Sequence, residues 1–351
     1  MAESAAAWDG GLKARVDGAL HAFVAEECAL LTAIDPELKP VAEQLTAAVA
    51  DGKRLRAAFA YWGWRAAGQP DSEAMVRAAT AMELVHAAAV VHDDLIDDSP
   101  VRRGSPTAHL ALRQAAPEGP GRDAAGRALA MLVGDLLTAW AGQLFASCGL
   151  PSGYLARARP LWATLARELV AGECLEVLRT RGAAASEASS LEIVRYKTAK
   201  YTVEHPLHLG ALLAGAPPAL LEAFTAYGLP LGEAFQLRDD LLGVFGDPGR
   251  TGKSNLDDLA GAKPTALLAL ALANSGPADR ARLRALLDRP GPEDLAELRA
   301  LLVRSGARAR VEELIEERTT AARTALATAP VAGPAAAALG ELVDAATART
   351  S

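Results

Sequence analysis

Cysteine is scarce in this chain. Cys28, Cys148 and Cys174 are odd in number, widely spaced and free of any CxxC pair, which argues against a disulfide framework or a zinc site and suits a reducing compartment. Positive charge is also short. The formal charge is −7 and lysine occurs only seven times, so a nucleic-acid partner, which needs a net basic face, is excluded. From Met1 to Gly11 there is no basic region leading into an apolar run, so no signal peptide is expected and the protein is read as cytoplasmic. The apolar stretch at 211–223 is short and is broken by Gly215, Pro217 and Pro218, so no membrane span is expected there. No string of β-branched runs bounded by turns occurs either.

What is present favours helix. Apolar residues make up 51% of the 351 positions and alanine and leucine are plentiful, enough for a sizeable helical core. Apolar spacing of three and four residues predicts helices at 12–33, 54–68, 72–98, 122–147, 151–179, 188–214 and 218–245. Shorter ones are expected near 264–274, 278–288, 292–305, 308–328 and 334–348. The joints between them are rich in Pro and Gly. Helix 72–98 would be about 40 Å long at ~1.5 Å per residue. Length alone allows one large domain or two ordinary ones. No linker is long or polar enough to demand a boundary, so a single all-α domain over 1–351 is expected, a large bundle of antiparallel helices around a central cleft.

The strongest chemical signal is His92-Asp93-Asp94-Leu95-Ile96-Asp97-Asp98, followed by Arg102-Arg103-Gly104. Asp93 and Asp97 are four residues apart and so share one helix face. Like charges at the negative end of a helix dipole are unfavourable unless a cation compensates them. Hard divalent ions accept oxygen ligands in this arrangement, and magnesium typically bridges carboxylate to phosphate. An acidic, solvated helix end is the plain alternative. It fits poorly here, because the preceding turns, Met82 to Val91, are apolar. The second signal is Gln236-Leu237-Arg238-Asp239-Asp240, again near the end of a long apolar helix. Two such helices facing one another could grip a metal–diphosphate cluster.

The third signal is basic. Gly52-Lys53-Arg54-Leu55-Arg56, Tyr196-Lys197-Thr198, Thr251-Gly252-Lys253-Ser254 and Ala262-Lys263-Pro264-Thr265 each set lysine in a conspicuous context. Lysine offers phosphate a point charge and arginine a two-pronged contact. One at a time these read as surface residues. Alongside two aspartate motifs, and with Arg102 and Arg103, the set could neutralise two diphosphates. Gly246 to Ser254 is not a P-loop, since Asp247 stands where glycine is needed and a helix precedes it. His86 lies two turns before Asp93 on the same face, which tilts it from core histidine toward a diphosphate contact. His92, His205 and His208 are read as structural, and Trp62, Trp64, Trp140 and Trp162 as core.

Together these ordered motifs resemble the trans-isoprenyl diphosphate synthases, the polyprenyl synthetase family, and within it the short-chain actinobacterial branch that makes geranylgeranyl diphosphate. The resemblance covers roughly residues 15–330 and implies the isoprenoid synthase type of fold. By it, Asp93 and Asp97 would be first-motif magnesium ligands, with Asp239 and neighbouring Asp240 in the second motif. Lys53, Arg56, His86 and Arg103 match positions holding isopentenyl diphosphate. Arg102, Lys197, Thr198, Gln236, Lys253 and Lys263 match those holding the allylic partner (dimethylallyl, geranyl or farnesyl diphosphate). Lys197 and Lys253, with Asp93, Asp97 and Asp239, would be the catalytic set. A homodimer is implied as well. Four departures stand out: Gly243 replaces a third aspartate, Asp51 a glycine, Ala57 a proline, and Ala262 and Pro264 alter the setting of Lys263.

The implied reaction joins isopentenyl diphosphate head to tail onto an allylic diphosphate. Magnesium and cations stabilise the departing diphosphate, the double bond of isopentenyl diphosphate attacks the carbocation, and a proton is lost. A dry apolar cleft would protect the cation from water. The tail should run from Asp93 toward the helix N-terminus, past Ala88 and Ala89, which are small enough to let it through. A C20 product is expected, with C25 or longer as the alternative, and the lower floor at Val85 or within 131–147, Trp140 included. Two other readings are a terpene cyclase of the same fold, which would not need both basic sets, and a non-catalytic partner subunit, which would not need an intact first motif.

Overall fold

The computed structural model describes residues 9, 11–180, 186–247, 263–288, 291–331 and 333–347. Helices account for nearly all of their regular structure, as expected for an all-α chain. The chain divides into two compact units, one of residues 1–158 with 209–215 and one of 159–208 with 216–351.

In the first unit, helices α1 (Leu12–Ile34), α2 (Lys39–Val49), α3 (Leu55–Ala66), α4 (Glu73–Ile96), α5 (Ala108–Ala115) and α6 (Arg122–Ala146) pack together. The N-cap Ser72 accepts from the Met75 amide, so α4 starts with one of its orphan donors satisfied. It then buries Met75, Val76, Met82, Leu84 and Val91 among alanines, each large side chain contributing about 1.5–3 kcal/mol. Its main neighbour is α6. Gly134 on α6 makes the approach possible, since a Cβ there would sit 2.2 Å from the His92 ring. Both α4 and α6 are long and apolar enough to cross a membrane, but 67% of α4's most apolar stretch is buried inside the fold. Such burial is that of a core helix.

In the second unit, α10 (Pro218–Phe245) is the spine. Its Leu237, Leu241 and Val244 join a cluster with leucines of α11 (Ala266–Asn274), α12 (Pro277–Asp288) and α13 (Leu295–Arg304) and with Val311, Leu314 and Ile315 of α14 (Ala307–Thr328). The last helix, α15 (Pro334–Thr347), is held by the Tyr227 hydroxyl, which donates to the Leu339 carbonyl at 2.8 Å. The C-terminal part of α7 (Ser152–Arg179) belongs to this unit too.

Three expectations change. Helix α2 and helix α5 were not foreseen. The single helix expected over 188–214 is α8 (Glu187–Ile193), then an eleven-residue π-helical segment (Val194–Glu204), then α9 (His205–Ala214). The π-segment is wider than an α-helix and is admitted by glycines on both sides. A Cβ at Gly172 of α7 would lie 2.6 Å from the Lys197 Cα, and one at Gly232 of α10 would lie 2.5 Å from the Ala199 Cα. Glycine in a helix interior costs about 1 kcal/mol; here it lets two backbones touch.

Candidate active site

The acid tip of α4 is built by the helix running on past its last turn. The Asp97 amide donates to the Asp93 carbonyl at 2.9 Å, so residues 93 and 97 stay on one face. Asp94 is buried and points elsewhere, toward Arg102, whose Nε donates to both its carboxylate oxygens at 2.9 and 3.1 Å. Arg102 also reaches Asp93 Oδ2 at 3.3 Å. Its first partners are therefore the motif's own carboxylates. Arg102 lies in a short hairpin, β1 (Val101–Arg102) with β2 (Ser105–Pro106), turned through Arg103 and Gly104, both with positive φ, as a two-residue type I′ turn requires.

Positive φ marks this region. Among the described residues only Arg54, Asp98 and Arg103 adopt it without being glycine, at about 1–2 kcal/mol each. All three lie in segments singled out for their charge, and backbone strain of this kind concentrates at functional sites. Arg54 is a brace: it donates to Asp17 Oδ1 at 2.7 Å and to the carbonyls of Asp51 at 3.1 Å and Val49 at 2.6 Å. Behind it, buried Glu83 of α4 accepts from the Ala57 amide at 2.9 Å and so caps the first turn of α3.

Around this brace the basic residues gather. Lys53 is exposed, Arg56 is buried in the first turn of α3, and Arg103 donates to the Asp51 carbonyl. His86 is half-buried on α4. Burial first, then the charges of Arg56, Arg103, Arg102 and Arg54, hold it well below its usual range. Burial, with Arg54 and Arg102, lowers Arg103 as well. A neutral imidazole in a field of arginines is a site prepared for an anion. On the same helix Ala88 is buried and Ala89 half-buried. Trp140 on α6 is buried edge-on to Phe23, ring centroids 6.1 Å apart.

The second unit assembles the other set. Thr198 Oγ1 donates to Gln236 Oε1 at 2.8 Å, and Gln236 Nε2 donates to Asp240 Oδ1 at 2.8 Å. This relay from the π-segment orients the buried Asp240, while Asp239 beside it is half-buried. Arg238, between the relay and these acids, faces away to Glu312 and the Thr347 carbonyl. Lys197 Nζ lies 3.0 Å from Glu173 Oε2 and is bonded to Glu176, and Lys263 Nζ is 3.8 Å from the same Glu176. Glu173 and Glu176 were missed by sequence reasoning. Their signal was two acids three apart on α7, directly after Gly172. Lys253 lies outside the described residues.

Each unit thus gathers one part of the proposed set: Lys53, Arg56, His86, Asp93, Asp97, Arg102 and Arg103 in the first, Lys197, Thr198, Gln236, Asp239, Asp240 and Lys263 in the second. The donor chemistry fits magnesium: carboxylate oxygens paired on helix faces near C-termini, where the dipole favours cations.

Residues 37–303 match the Polyprenyl synthetase family, and the chain belongs to that family. It is 33% identical over 237 residues to the (2E,6E)-farnesyl diphosphate synthase of Mycobacterium bovis, covering 68% of this chain and 61% of that protein's length. It is 32% identical over 318 residues to the nonaprenyl diphosphate synthase of Mycobacterium tuberculosis, covering 89% and 88%. The geranylgeranyl pyrophosphate synthase of Corynebacterium glutamicum, solved with isoprenyl diphosphate and magnesium, superposes with a TM-score of 0.90 at 34% identity, covering 95% of this chain and 97% of that one.

Proposed function

We propose that this protein is a magnesium-dependent trans-prenyltransferase that condenses isopentenyl diphosphate with an allylic diphosphate head to tail, giving geranylgeranyl diphosphate. The observation that carries the reading is the pairing, in each unit, of an acid-tipped apolar helix with its own cluster of cations.

In the proposed reaction Arg56, Arg103, Lys53 and neutral His86 hold isopentenyl diphosphate, the imidazole as a hydrogen-bond donor. Arg102, Lys197, Thr198, Gln236, Lys253 and Lys263 hold the allylic diphosphate, Arg102 from its place beside Asp93 and Asp94. Asp93, Asp97, Asp239 and Asp240 would hold magnesium, which when bound supplies charge to the departing diphosphate. As the allylic C–O bond breaks, negative charge grows on the leaving diphosphate and the lysines stabilise it. The isopentenyl double bond then forms the new C–C bond, and the proton lost passes to the released diphosphate, since no protein base is proposed. Purified protein with magnesium, dimethylallyl diphosphate and isopentenyl diphosphate should yield prenyl diphosphate without a second chain. Hydrocarbon released from geranylgeranyl diphosphate alone would instead support a cyclase.

The C20 product is supported by the small side chains of Ala88 and Ala89 on the Asp93 helix. The relatives' names alone do not decide it, as they run from farnesyl to nonaprenyl. Ala88→Phe should shorten the chromatographed product by at least one five-carbon unit, and unchanged length rules out this tail path. We also propose a homodimer, supported by apolar side chains left in solvent: Met131 and Leu132 on α6, and Val170, Val177 and Leu178 on α7. Sedimentation as a monomer would reject it. A cytoplasmic location is supported by three cysteines without a disulfide.

A further inference from the structure

A partly buried charge cluster in the second unit, with Glu204 and His205 buried and Lys200 and Glu168 half-buried, contains none of the residues assigned to either substrate. Lys200, three residues beyond Lys197, directs Nζ at Glu168 Oε2 of α7 (2.9 Å) and at Glu204 Oε2 (3.5 Å). It also sits over the ring of Tyr196, 5.5 Å from the centroid. Glu204 Oε1 accepts from the Thr225 hydroxyl at 2.9 Å, and the Thr225 hydroxyl oxygen lies 3.1 Å from His208 Nε2. His205 Nε2 is 3.1 Å from Glu168 Oε2. Burial pushes His205 down to about 4 and lowers His208 as well. Near neutrality Lys200 is therefore the cluster's cation, between two carboxylates.

Burying such a group is expensive unless it is fully paired, and removing one member leaves an uncompensated charge. The cluster surrounds the end of the π-segment: the His205 amide donates to the Lys200 carbonyl, the five-residue step that closes it. π-turns are rare and occur most often at functional sites. Here the side chain and the carbonyl of one residue together fasten the segment to α7 and to α9. Gly228, whose Cβ would come 3.0 Å from the Glu204 Cα, keeps α10 against the same end. The residues the segment presents just ahead of this fastening are Lys197 and Thr198.

We propose that Lys200, clamped by Glu168 and Glu204, is a positioning residue for the allylic diphosphate, fixing the π-turns that aim Lys197 and Thr198. The inference rests on the reading of Lys197 and Thr198 as allylic diphosphate contacts.

Steady-state kinetics on the full chain test it with Lys200→Met, Lys200→Arg and Lys197→Ala, plus the Lys197→Ala/Lys200→Met double variant. Lys200→Met is expected to raise the allylic KM about tenfold, the size of a typical coupling between residues of one network. The isopentenyl KM should stay put, and Lys200→Arg should restore the wild-type value. In the Lys197→Ala background the same change should add little further. Glu204→Gln, which keeps the side chain's shape, should give the same one-sided KM effect and serves if Lys200→Met does not fold. Equal rises in both KM values, or full additivity in the double variant, would overturn the proposal. So would Lys200→Arg being as damaging as Lys200→Met. An unchanged allylic KM in Lys197→Ala overturns the site reading itself, whereas a raised one there with no effect of Lys200→Met overturns only the positioning role.

Discussion

The two units hold their cations in different ways. Around α4, arginines crowd one another and a neutral histidine, with backbone carbonyls and a few carboxylates as partners. Around the π-segment, each cation is already matched to acids: Lys197 to Glu173 and Glu176, Lys200 to Glu168 and Glu204, and Arg195 with Arg318 to the buried Glu233. Like charges held together store electrostatic free energy that an incoming anion releases. Cations already paired gain less, because the new anion competes with carboxylates in place. On the proposed reading, the cluster of Arg56, Arg103 and His86 suits a diphosphate that binds without metal, whereas the paired lysines, like the aspartates of both units, suit one that brings metal with it. This matches the proposed roles, with isopentenyl diphosphate at the arginine cluster and the ionising partner at the lysines.

The largest effects should come from the carboxylates on which the comparison turns. Asp93→Asn and Asp239→Asn are each expected to lower kcat by about 10²–10³, the range for removing one preorganised electrostatic contact. Single-turnover product formation reads this out. Loss in only one of the two variants would break the proposal that both aspartate pairs hold magnesium. Smaller effects should separate the substrates. A charge-assisted contact is worth about 1.5–3 kcal/mol, so Arg103→Met should raise the isopentenyl KM by about 10- to 100-fold and leave the allylic KM alone. Lys197→Met should do the reverse. If both substitutions move both KM values, the two basic sets are not separate sites.

Much of this was legible in the sequence, for physical reasons that also explain what was not. Helices α4 and α10 announce themselves because long apolar runs end in paired aspartates, a pattern that is costly without a ligand. The bounds of α4 and α10 fell within two residues of expectation. Helix α2 is short and carries Pro40 in its first turn, where proline is tolerated, and α5 is only eight residues long. The π-segment could not be read from spacing, since Lys197, Lys200 and Glu204 fit a polar face of an ordinary helix. Its trace lies in other elements, in Gly172, Gly228 and Gly232, whose missing side chains have meaning only once the backbones are seen to touch. Glu173 and Glu176 stayed unread for the same reason: a carboxylate's partner is a three-dimensional fact.

The smallest expected effect is also the most direct probe of the contrast between the units. His86 and His205 are both held below the ordinary histidine value of about 6.5, with burial the leading cause for each. They differ in what opposes or reinforces it. Four arginines lower His86 further, whereas Glu204 and Glu168 pull His205 up. In both cases the unfolded chain takes up a proton as pH falls through 6.5 and the folded chain does not. Stability is therefore complete above that pH and is lost on acidification, for His205 over the interval down to about 4. Between pH 7.5 and 5.5 His205 should cost about 1 kcal/mol, a few degrees of melting temperature at about this domain size, and His86 should act in the same direction. Replacing either by Gln should flatten the calorimetric slope by up to one proton. Inorganic diphosphate then distinguishes them: an anion among Lys53, Arg56 and Arg103 counters the arginine field on His86, so the His86 contribution should shrink when ligand is added, while the His205 contribution should persist. A diphosphate-induced change confined to the His205 variant would reverse the assignment of the two regions.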